Sequence, residues 1–310
     1  MKRHFLQSEE WEKFQVAQGK EVVRKKGKGW EFMATVERTA VGCYLYVPYG
    51  PTVKDLKGFT EAMEELRRVA REVGAVFVRI EPREGVEAED LKQMGMRKIK
   101  EVNPEYTWVL DLQRSEEEIL AGMKQNNRNL WRNHREKGLT VRRSDDVGDL
   151  EHLSALLCSV AKNNRVSLHE AEYLRRQMEM GIGVLYLVEL EGGVIAASMV
   201  YDWGGVRYYA HAAADYGHRK LAAGTVLVAQ MIMDAKEAEM KEFDFYGVYA
   251  GTDEAHPWYG FSRFKKSFGG ELRSYLGTWD LPMNRVKYGA FGQLRRANRA
   301  VRKLKNRVRK

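Results

Sequence analysis

The most informative stretch of the chain runs Val184-Leu185-Tyr186-Leu187-Val188-Glu189-Leu190, then Glu191-Gly192-Gly193, then Val194-Ile195-Ala196-Ala197-Ser198-Met199-Val200-Tyr201. Two apolar runs separated by a glycine pair predict a β-hairpin, because glycine tolerates the positive φ of a tight turn. Another strand is expected at Arg207–Ala212. A long apolar helix is expected at Leu221–Ala238. Strands followed by a covering helix indicate a mixed α/β unit.

The segments on either side of this hairpin extend the same unit. A helix around Trp258–Phe268 and a single final strand at Leu272–Trp279 are predicted to close it. The further predicted elements of this half are a strand at Leu139–Arg143, helices at Leu150–Lys162 and His169–Met180, and a strand at Glu242–Tyr246.

The first part of the chain shows the same order of elements without a sequence repeat. Ser115 and Glu118 form a capping-box pattern, which predicts a helix that continues to about Lys137 and ends at Gly138. The other predicted elements are strands at Trp30–Glu37, Cys43–Val47, Ala75–Glu81 and Tyr106–Leu112 and a helix at Lys54–Val73. The sequence therefore predicts two α/β halves, at about residues 1–140 and 141–280.

Composition and charge narrow the class of protein. Of the 310 residues, 44% are hydrophobic, which is enough for ordinary buried cores and argues against wholesale disorder. The net charge is +9, but Leu281–Lys310 holds eleven basic residues and no acidic ones, so the rest carries 41 basic against 43 acidic groups. Two cysteines are too few for a disulfide framework. With no apolar leader or spanning segment, a cytoplasmic protein is expected.

The last thirty residues predict a basic amphipathic helix. Phe291, Leu294, Ala297, Val301 and Leu304 recur at spacings of three and four, with lysine and arginine between them. One interpretation is a helix packed on the body with solvated charges outside. The other is a face that contacts a polyanion or an anionic membrane, and the two are compatible.

The loop before the long helix carries a second signal. Arg219-Lys220-Leu221-Ala222-Ala223-Gly224 resembles the pyrophosphate-binding loop of GNAT acetyltransferases, in which backbone amides at a helix N-terminus face coenzyme A. Ala222 stands where that pattern has its first glycine, which adds a Cβ where backbone must approach phosphate. The pattern is therefore weak for coenzyme A.

Six short motifs follow one another along the whole chain. They are Ser8-x-x-Trp11, Tyr46-x-x-x-Gly50-Pro51, Arg79-Ile80-Glu81-Pro82, Asn126-Asn127-Arg128-Asn129, Phe243-Asp244-Phe245-Tyr246-Gly247 and Phe264-Lys265-x-x-Phe268. In this order they resemble the FemABX aminoacyltransferases, which move an amino acid from aminoacyl-tRNA to the stem peptide of a peptidoglycan precursor. The resemblance implies two tandem GNAT-like domains, residues 1–140 completed by a helix at 281–310, and residues 141–280.

The resemblance also implies a catalytic pair of residues. Lys265 matches the lysine held to stabilise negative charge on the ester carbonyl under attack, and Phe264 matches its aromatic neighbour. Glu81 falls where the family commonly has an aspartate, which would hold or deprotonate the attacking amine. The alternatives are that Lys265 is a solvated helix lysine, with Lys266 equally suitable by charge, that Phe264 packs in the core, and that Glu81 is an exposed strand-end acid.

The resemblance also extends to the family's substrate-binding positions, some of which hold a different residue in this sequence. Gln15 stands where members that use a UDP-linked precursor have a lysine, with Lys13 close by. The remaining expected substrate contacts are Ser167, His169, Tyr173 and His211, where His169 replaces an arginine and His211 a tyrosine. Histidine binds phosphate weakly at neutral pH, so a lipid-linked precursor is favoured over a UDP-linked one. Ordinary surface positions are the alternative for each of these residues.

The resemblance implies aminoacyl-tRNA as co-substrate, no further cofactor, and a location in the cytoplasm or at the inner face of the membrane. Neither a metal-ligand spacing among the seven histidines nor a Gly-x-Ser-x-Gly elbow appears in the sequence. Two alternatives stay open. One is a CoA-dependent or FemAB-like N-acyltransferase with a different acceptor, and the other is a non-catalytic protein that binds tRNA or membrane.

Overall fold

The computed structural model describes residues 1–164 and 171–293. The chain divides into two compact units, one of residues 1–105 with the chain from Tyr275 onward, and one of Tyr106–Ser274. Each unit has its own sheet of seven described strands. The expectation of a mixed α/β fold in two domains is confirmed by these two sheets.

The first unit begins with nine elements. They are α1 (Glu9–Ala17), β1 (Glu21–Gly27), β2 (Trp30–Thr39), β3 (Gly42–Val47), β4 (Thr52–Val53), α2 (Leu56–Glu72), β5 (Ala75–Ile80), α3 (Ala88–Gln93) and β6 (Arg97–Lys98). Ser8 caps α1 by accepting from the Trp11 amide, and Asp55 caps α2 by accepting from the Gly58 amide. Phe59, Met63 and Leu66 recur at helical spacing and bury one face of α2.

The described part of the second unit contains thirteen α-helices and β-strands. They are β7 (Tyr106–Asp111), α4 (Glu116–Gly122), α5 (Gln125–Arg132), β8 (Leu139–Ser144), α6 (Leu150–Asn164), α7 (Ala171–Glu179), β9 (Gly183–Leu190), β10 (Gly193–Trp203), β11 (Val206–Ala214), α8 (Ala223–Glu237), β12 (Glu242–Gly247), α9 (Tyr259–Lys266) and β13 (Glu271–Ser274), the last of which ends the unit. The predicted hairpin is confirmed as β9 and β10, which pair antiparallel.

The strand that follows the second unit returns to the first sheet. This strand, β14 (Trp279–Pro282), pairs antiparallel with both β5 and β6. The first sheet has the order β1-β2-β3-β5-β14-β6, with β4 beside β2. At its centre Arg79 donates two hydrogen bonds to Asp280, at 2.7 and 2.8 Å, and both side chains are buried. A buried pair with bidentate geometry offsets much of its desolvation cost.

The second sheet has the order β13-β7-β12-β11-β10-β9-β8. Its core forms where α8 packs against the face that carries Ala196 and Val200 of β10. Tyr201, the next residue along β10, points to the opposite face and meets Gln177 of α7. Helices thus cover both faces of this sheet.

Two boundaries predicted from the sequence need correction, and one strand was missed. The second unit begins at Tyr106 rather than near residue 141, because β7 pairs with β12 and β13 of the second sheet. The predicted final strand at Leu272–Trp279 is wrong as a single element. It divides into β13 in one sheet and β14 in the other, with Gly277 at φ +75° between them. The strand β1 was not predicted.

The helix predicted from Ser115 to Lys137 is also divided. The capping box of Ser115 and Glu118 is present and Gly138 is left-handed, as predicted, but the chain turns extended at Met123 between α4 and α5. Arg128 Nη1 donates to the carbonyls of Leu120, Ala121 and Met123. The guanidinium therefore satisfies the carbonyls that the break in the helix exposes.

Residues 285–293 are helical and pack on the first unit. Phe291 lies 4.9 Å from Phe77, ring centroid to ring centroid, and Tyr288 donates a hydrogen bond to Asp280. The predicted helix at 281–310 lies mostly outside the described residues. Among the described helices, none combines the length and apolar character needed to span a bilayer.

Candidate functional site

The candidate site lies where two neighbouring parallel strands of the second sheet separate from each other. Strands β11 and β12 pair only from Val206–Glu242 to Tyr208–Asp244. Beyond that point β12 bulges against β7, and Tyr246 adopts a left-handed φ of +62°. The buried Asp244 carboxylate accepts from the Tyr246 amide at 2.7 Å and from the Thr107 hydroxyl. These bonds hold the turn that presents the Gly247 carbonyl.

Lys265 of α9 reaches this turn. Its Nζ donates to the Gly247 carbonyl at 2.8 Å and lies 5.0 Å from the ring centroid of Phe261 and 5.8 Å from that of Tyr209. Burial among these groups lowers the pKa of Lys265 to about 7, and the negative charge of Asp244 partly opposes the lowering. At neutral pH this amine exchanges readily between its charged and neutral forms, which suits charge stabilisation and proton transfer.

The neighbouring Lys266 lies in a different environment. Its Nζ donates to the Tyr249 carbonyl at 3.2 Å and lies 5.4 Å from the ring centroid of Trp108. It also lines an open cavity of about 280 Å³ in the second unit. The two consecutive lysines thus bind alternate carbonyls of one extended segment, and their ammonium groups lie in different environments.

Phe264 packs against the core of the second unit. It is partly buried, and its ring meets that of Phe268 edge-on at 5.2 Å. Core packing accounts for this position, so a contact with substrate stays a prediction for Phe264.

Glu81 lies in the first unit and is not exposed. Its side chain is buried, and its carboxylate accepts five hydrogen bonds. The donors are the Tyr46 hydroxyl at 2.9 Å, the Tyr49 amide at 3.2 Å, the Asn103 amide at 2.9 Å, the Asn103 side chain at 2.7 Å and the Thr278 hydroxyl at 2.8 Å. The strand-end carboxylate therefore ties three loops of the first unit together. Its role toward an amine stays a prediction.

Two of the predicted substrate-binding residues lie on one face of the second sheet. His211 Nε2 is 3.0 Å from the Tyr201 hydroxyl, which donates to Gln177 Oε1 at 2.5 Å. Because the Tyr201 hydroxyl donates its proton to Gln177, its oxygen can only accept a hydrogen bond from His211, and the N–H of the His211 ring therefore lies at Nε2. Tyr173, one turn before Gln177 on α7, interacts electrostatically with Tyr201 and is half-buried. The structure thus brings His211 and Tyr173 to the same cluster.

The other predicted substrate-binding residues are dispersed. Gln15 is buried on α1 beside Phe14, whereas Lys13 is exposed. Both belong to the first unit. Ser167 and His169 lie outside the described residues.

The loop that resembles a coenzyme A site lacks the glycine of that pattern but is left-handed at the same position. Arg219–Leu221 form a short 3-10 turn, Ala222 is left-handed at φ +54°, and α8 begins at Ala223 without a side-chain cap. A left-handed conformation costs an alanine free energy that glycine avoids. The strain shows that the turn is imposed by its surroundings.

Sequence comparison assigns the chain to a family. The FemAB family matches residues 1–100 and 189–296, which together make up more than half of the chain. The chain belongs to the FemAB family. At the level of the family, this membership supports an acyltransferase that acts in peptidoglycan-bridge formation. A comparison with curated protein sequences finds no significant match.

Solved structures share the fold of this FemAB-family chain. FemX has 17% identity and a TM-score of 0.82, with 93% of this chain and 94% of FemX aligned. L-PGS from Bacillus licheniformis has 14% identity and a TM-score of 0.58 over 94% and 96% of the two chains. A tandem GNAT protein from the clavulanic acid biosynthesis pathway has 14% identity and a TM-score of 0.52 over 83% and 81%. At these identities the likeness concerns the fold.

Several residues of the site were missed by sequence reasoning in this FemAB-family chain. Asp244 belongs to one of the six motifs, but its place beneath Lys265 depends on the bulge in β12. Tyr201 and Gln177 were not singled out, and the buried Gln177 Nε2 has no hydrogen-bond partner among the described residues. Tyr201 is a polar residue near the end of the largely apolar strand β10, whereas Gln177 does not stand out among the many polar residues of α7.

Proposed function

We propose that this FemAB-family chain transfers an amino acid from aminoacyl-tRNA to the free amine of a peptidoglycan stem peptide. The acceptor is a lipid-linked precursor, and the product extends the interpeptide bridge. No further cofactor takes part, because the aminoacyl ester of the donor is already activated.

The observation that carries the proposal is the environment of Lys265. A partly buried ammonium, anchored on the Gly247 carbonyl and flanked by two aromatic rings, still has two N–H donors to offer. Donors that are already oriented stabilise a developing oxyanion without reorganising. Family membership supplies the class of reaction for which such a donor is needed.

The reaction balances with the two substrates alone. The neutral stem amine attacks the ester carbonyl, which forms the C–N bond and places negative charge on the carbonyl oxygen beside the Lys265 ammonium. Collapse of this intermediate breaks the ester C–O bond. The proton lost by the attacking nitrogen passes to the departing ribose oxygen, and a lysine whose pKa is about 7 is suited to relay it. The protein contributes positioning and charge stabilisation.

The lipid-linked acceptor is supported by two features of the sequence. Histidine at position 169 is a poorer partner for a soluble nucleotide diphosphate than the arginine that it replaces. In addition, the basic residues after Leu281 suit the anionic surface of a membrane, where such a precursor resides. We propose peripheral contact with that surface through this segment.

The test is a transfer assay with defined donors and acceptors. The protein is incubated with a set of charged tRNAs and with either lipid-linked or UDP-linked precursor, and the products are weighed by mass spectrometry. We expect the lipid-linked precursor to gain the mass of one amino acid, and the Lys265→Met variant to lose this product. An unchanged precursor mass with every charged tRNA would contradict the proposal.

Two parallel reactions separate the alternatives. Modification of the UDP-linked precursor alone would overturn the choice of acceptor but not the reaction. Acyl transfer from acetyl-CoA, with none from charged tRNA, would show a CoA-dependent acyltransferase on the same fold.

A further inference from the structure

Strand β6 lies at one edge of the first sheet, where it pairs with β14. The Ile99 amide donates to the Thr278 carbonyl at 3.0 Å, and Arg97 stands opposite Asp280 in the strand register. Because bonded and non-bonded residues alternate along an antiparallel pair, the N–H and C=O of Lys98 point away from β14. No loop or turn backbone group among the described residues bonds to them. The edge therefore offers a backbone donor and an acceptor to a further strand.

A groove lies beside this edge. It has a volume of about 510 Å³ and is bounded by the 97–100 segment on one side and by the helix of residues 285–293 on the other. Tyr288 and Phe291 contribute aromatic rings to the helix side, whereas Gly289 and Gly292 add no side chain there. A strand added to β6 would send every second side chain toward this space, because side chains alternate between the two faces of a sheet.

Three exposed cations line the groove. They are Arg97, Lys98 and Lys100. Lys98 pairs with Glu105 at 2.7 Å. Arg97 lies over the ring of Tyr288, 5.7 Å from its centroid, but neither Arg97 nor Lys100 has a hydrogen-bond or ion-pair partner in the described part of the chain. Two positive charges beside the edge are therefore available to an anionic group.

The groove has little negative charge of its own. Asp280 is the one acidic residue among the described residues that line it. This carboxylate is buried and accepts two hydrogen bonds from Arg79 and one from the Tyr288 hydroxyl. Its charge is thus compensated by Arg79, and it does not neutralise the exposed cations at the rim.

Charge and backbone chemistry together favour one kind of occupant. Residues 294–310 of this chain contain nine basic and no acidic residues, so their charge does not suit this groove. Lysine on an edge strand also disfavours pairing with neutral or basic strands. A surface of phosphate groups would meet the cations but would leave the Lys98 N–H and C=O unused. An extended acidic peptide uses both.

We propose that the β6 edge and the groove beside it bind an extended, acidic segment of a partner protein, which adds to the first sheet as a further strand. Its backbone hydrogen-bonds to the N–H and C=O of Lys98, and its carboxylates lie near Arg97 and Lys100. The side chains that face the groove pack against Tyr288 and Phe291. This surface belongs to the first unit, and its occupation does not depend on the proposed transfer reaction.

The test measures binding of defined peptides to the full chain by fluorescence polarisation. The first probe is a short labelled peptide of alternating glutamate and valine. The second has lysine in place of glutamate, and the third has the first sequence with methylated backbone nitrogens. We expect the first peptide alone to bind, because the second is repelled and the third cannot donate to the Lys98 carbonyl. Failure of the first peptide to bind, or an equal Kd for the first and third, would overturn the proposal.

Two double variants test the role of the charges. Arg97→Gln/Lys100→Gln removes the two unpaired cations of the groove, whereas Lys26→Gln/Lys28→Gln removes two exposed cations at the end of β1, the opposite edge strand of the same sheet. We expect the Kd for the acidic peptide to rise about tenfold at low salt in the groove variant and to change less than about twofold in the control. Equal Kd values in the two double variants would contradict the proposed site.

Two single variants test the backbone of the edge. Lys98→Pro removes the outward N–H and the charge, whereas Lys98→Gln removes the charge alone. Pairing with β14 should survive both, because Arg97 and Ile99 form the bonds of that pair. We expect Lys98→Pro to bind the acidic peptide about tenfold more weakly than Lys98→Gln does. An equal Kd for these two variants would show that no strand is added.

Amide hydrogen exchange of the unmodified protein gives the same information without a substitution. Addition of the acidic peptide should slow exchange at the Lys98 amide, whereas the Ile99 amide, already bonded to Thr278, should change little. Unchanged exchange at Lys98 in the bound state would overturn the proposal.

A membrane surface is the alternative occupant. If the groove variant loses binding to phosphatidylglycerol vesicles while the unmodified protein does not bind the acidic peptide, the groove faces a bilayer and the proposal fails. Because no assay in this series measures amino-acid transfer, a failure here leaves the proposed reaction standing, and absence of transfer leaves the peptide site standing.

Discussion

Lys265 Nζ lies 2.8 Å from the carbonyl oxygen of Gly247, the residue at which β12 leaves its sheet. This bond fixes the ammonium at the end of a long, flexible side chain. The Gly247 carbonyl is itself placed by the left-handed turn at Tyr246, which Asp244 and Thr107 hold. A chain of local hydrogen bonds thus positions the one residue on which the proposed reaction depends.

Replacing Lys265 by Met is expected to lower kcat by about 100-fold to 1,000-fold, the range seen when a single oxyanion donor is removed. The KM for the aminoacyl-tRNA donor should change little, because the oxyanion that Lys265 would stabilise forms only in the transition state. Steady-state kinetics with varied donor concentration measures both constants.

Lys266→Gln is the matched comparison, since it removes a neighbouring charge that lines the cavity. We expect it to lower kcat far less than Lys265→Met does, because the Lys266 ammonium binds the Tyr249 carbonyl and not the Gly247 carbonyl. An equal loss of kcat in the two variants would contradict separate roles for the two lysines.

The charge state of Lys265 can be titrated without substrate. Burial lowers its pKa to about 7 and Asp244 opposes that effect, so Asp244→Asn should lower the pKa further. The ammonium fraction at pH 7 then falls, and kcat at that pH falls with it. The measurement is the pH dependence of the Lys265 Cε and Nζ chemical shifts in lysine-labelled protein, assigned by comparison with Lys265→Arg.

Thr107→Val serves as the control for this titration, because it removes a bond to Asp244 while the carboxylate charge remains. Its Lys265 pKa should stay closer to that of the unmodified protein than the pKa in Asp244→Asn. A titration midpoint that is identical in all three proteins would show that Asp244 acts only on the backbone turn.

The roles of Glu81 can be separated by measuring stability and rate together. Glu81→Gln replaces an acceptor oxygen by an amide donor that faces other donors, and should lower the free energy of unfolding by about 1–3 kcal/mol. Thr278→Val removes one of the five donors and should cost about 1 kcal/mol. Urea denaturation measures both.

If Glu81 also acts as a base, kcat of the folded Glu81→Gln variant should fall far more than that of Thr278→Val. Equal kcat values for the two variants, at a temperature where both are folded, would show that Glu81 has a structural role only.

The Tyr201 hydroxyl joins Gln177 to His211, and Tyr201→Phe should break both links. Because the buried Gln177 Nε2 already has no hydrogen-bond partner in the part of the chain that the structure describes, the loss of the Oε1 partner should cost about 1–3 kcal/mol. His211 would also lose its orientation, so we expect a higher KM for the acceptor. A KM unchanged in Tyr201→Phe would argue against an acceptor site at this cluster.

Much of the fold follows from local sequence patterns. Residues close together in the chain specify the hairpin around Gly192, the helix caps at Ser8 and Ser115, and the amphipathic spacing of α2. The order of motifs was enough to point to the family and to Lys265. These features are short-range, and side-chain periodicity and capping chemistry specify them without knowledge of distant contacts.

Other features depend on residues far apart in sequence. β7 belongs to the second sheet because it pairs with β12 and β13, and the final strand divides because its two ends join different sheets. The charge state of Lys265 depends on burial against Tyr209 and on Asp244, and Glu81 meets Thr278 nearly two hundred residues later. Sequence patterns alone indicated most of the elements and the side chain that is proposed to carry the chemistry. Only tertiary packing decided strand partners, burial and protonation, because desolvation and long-range pairing exist only once distant segments meet.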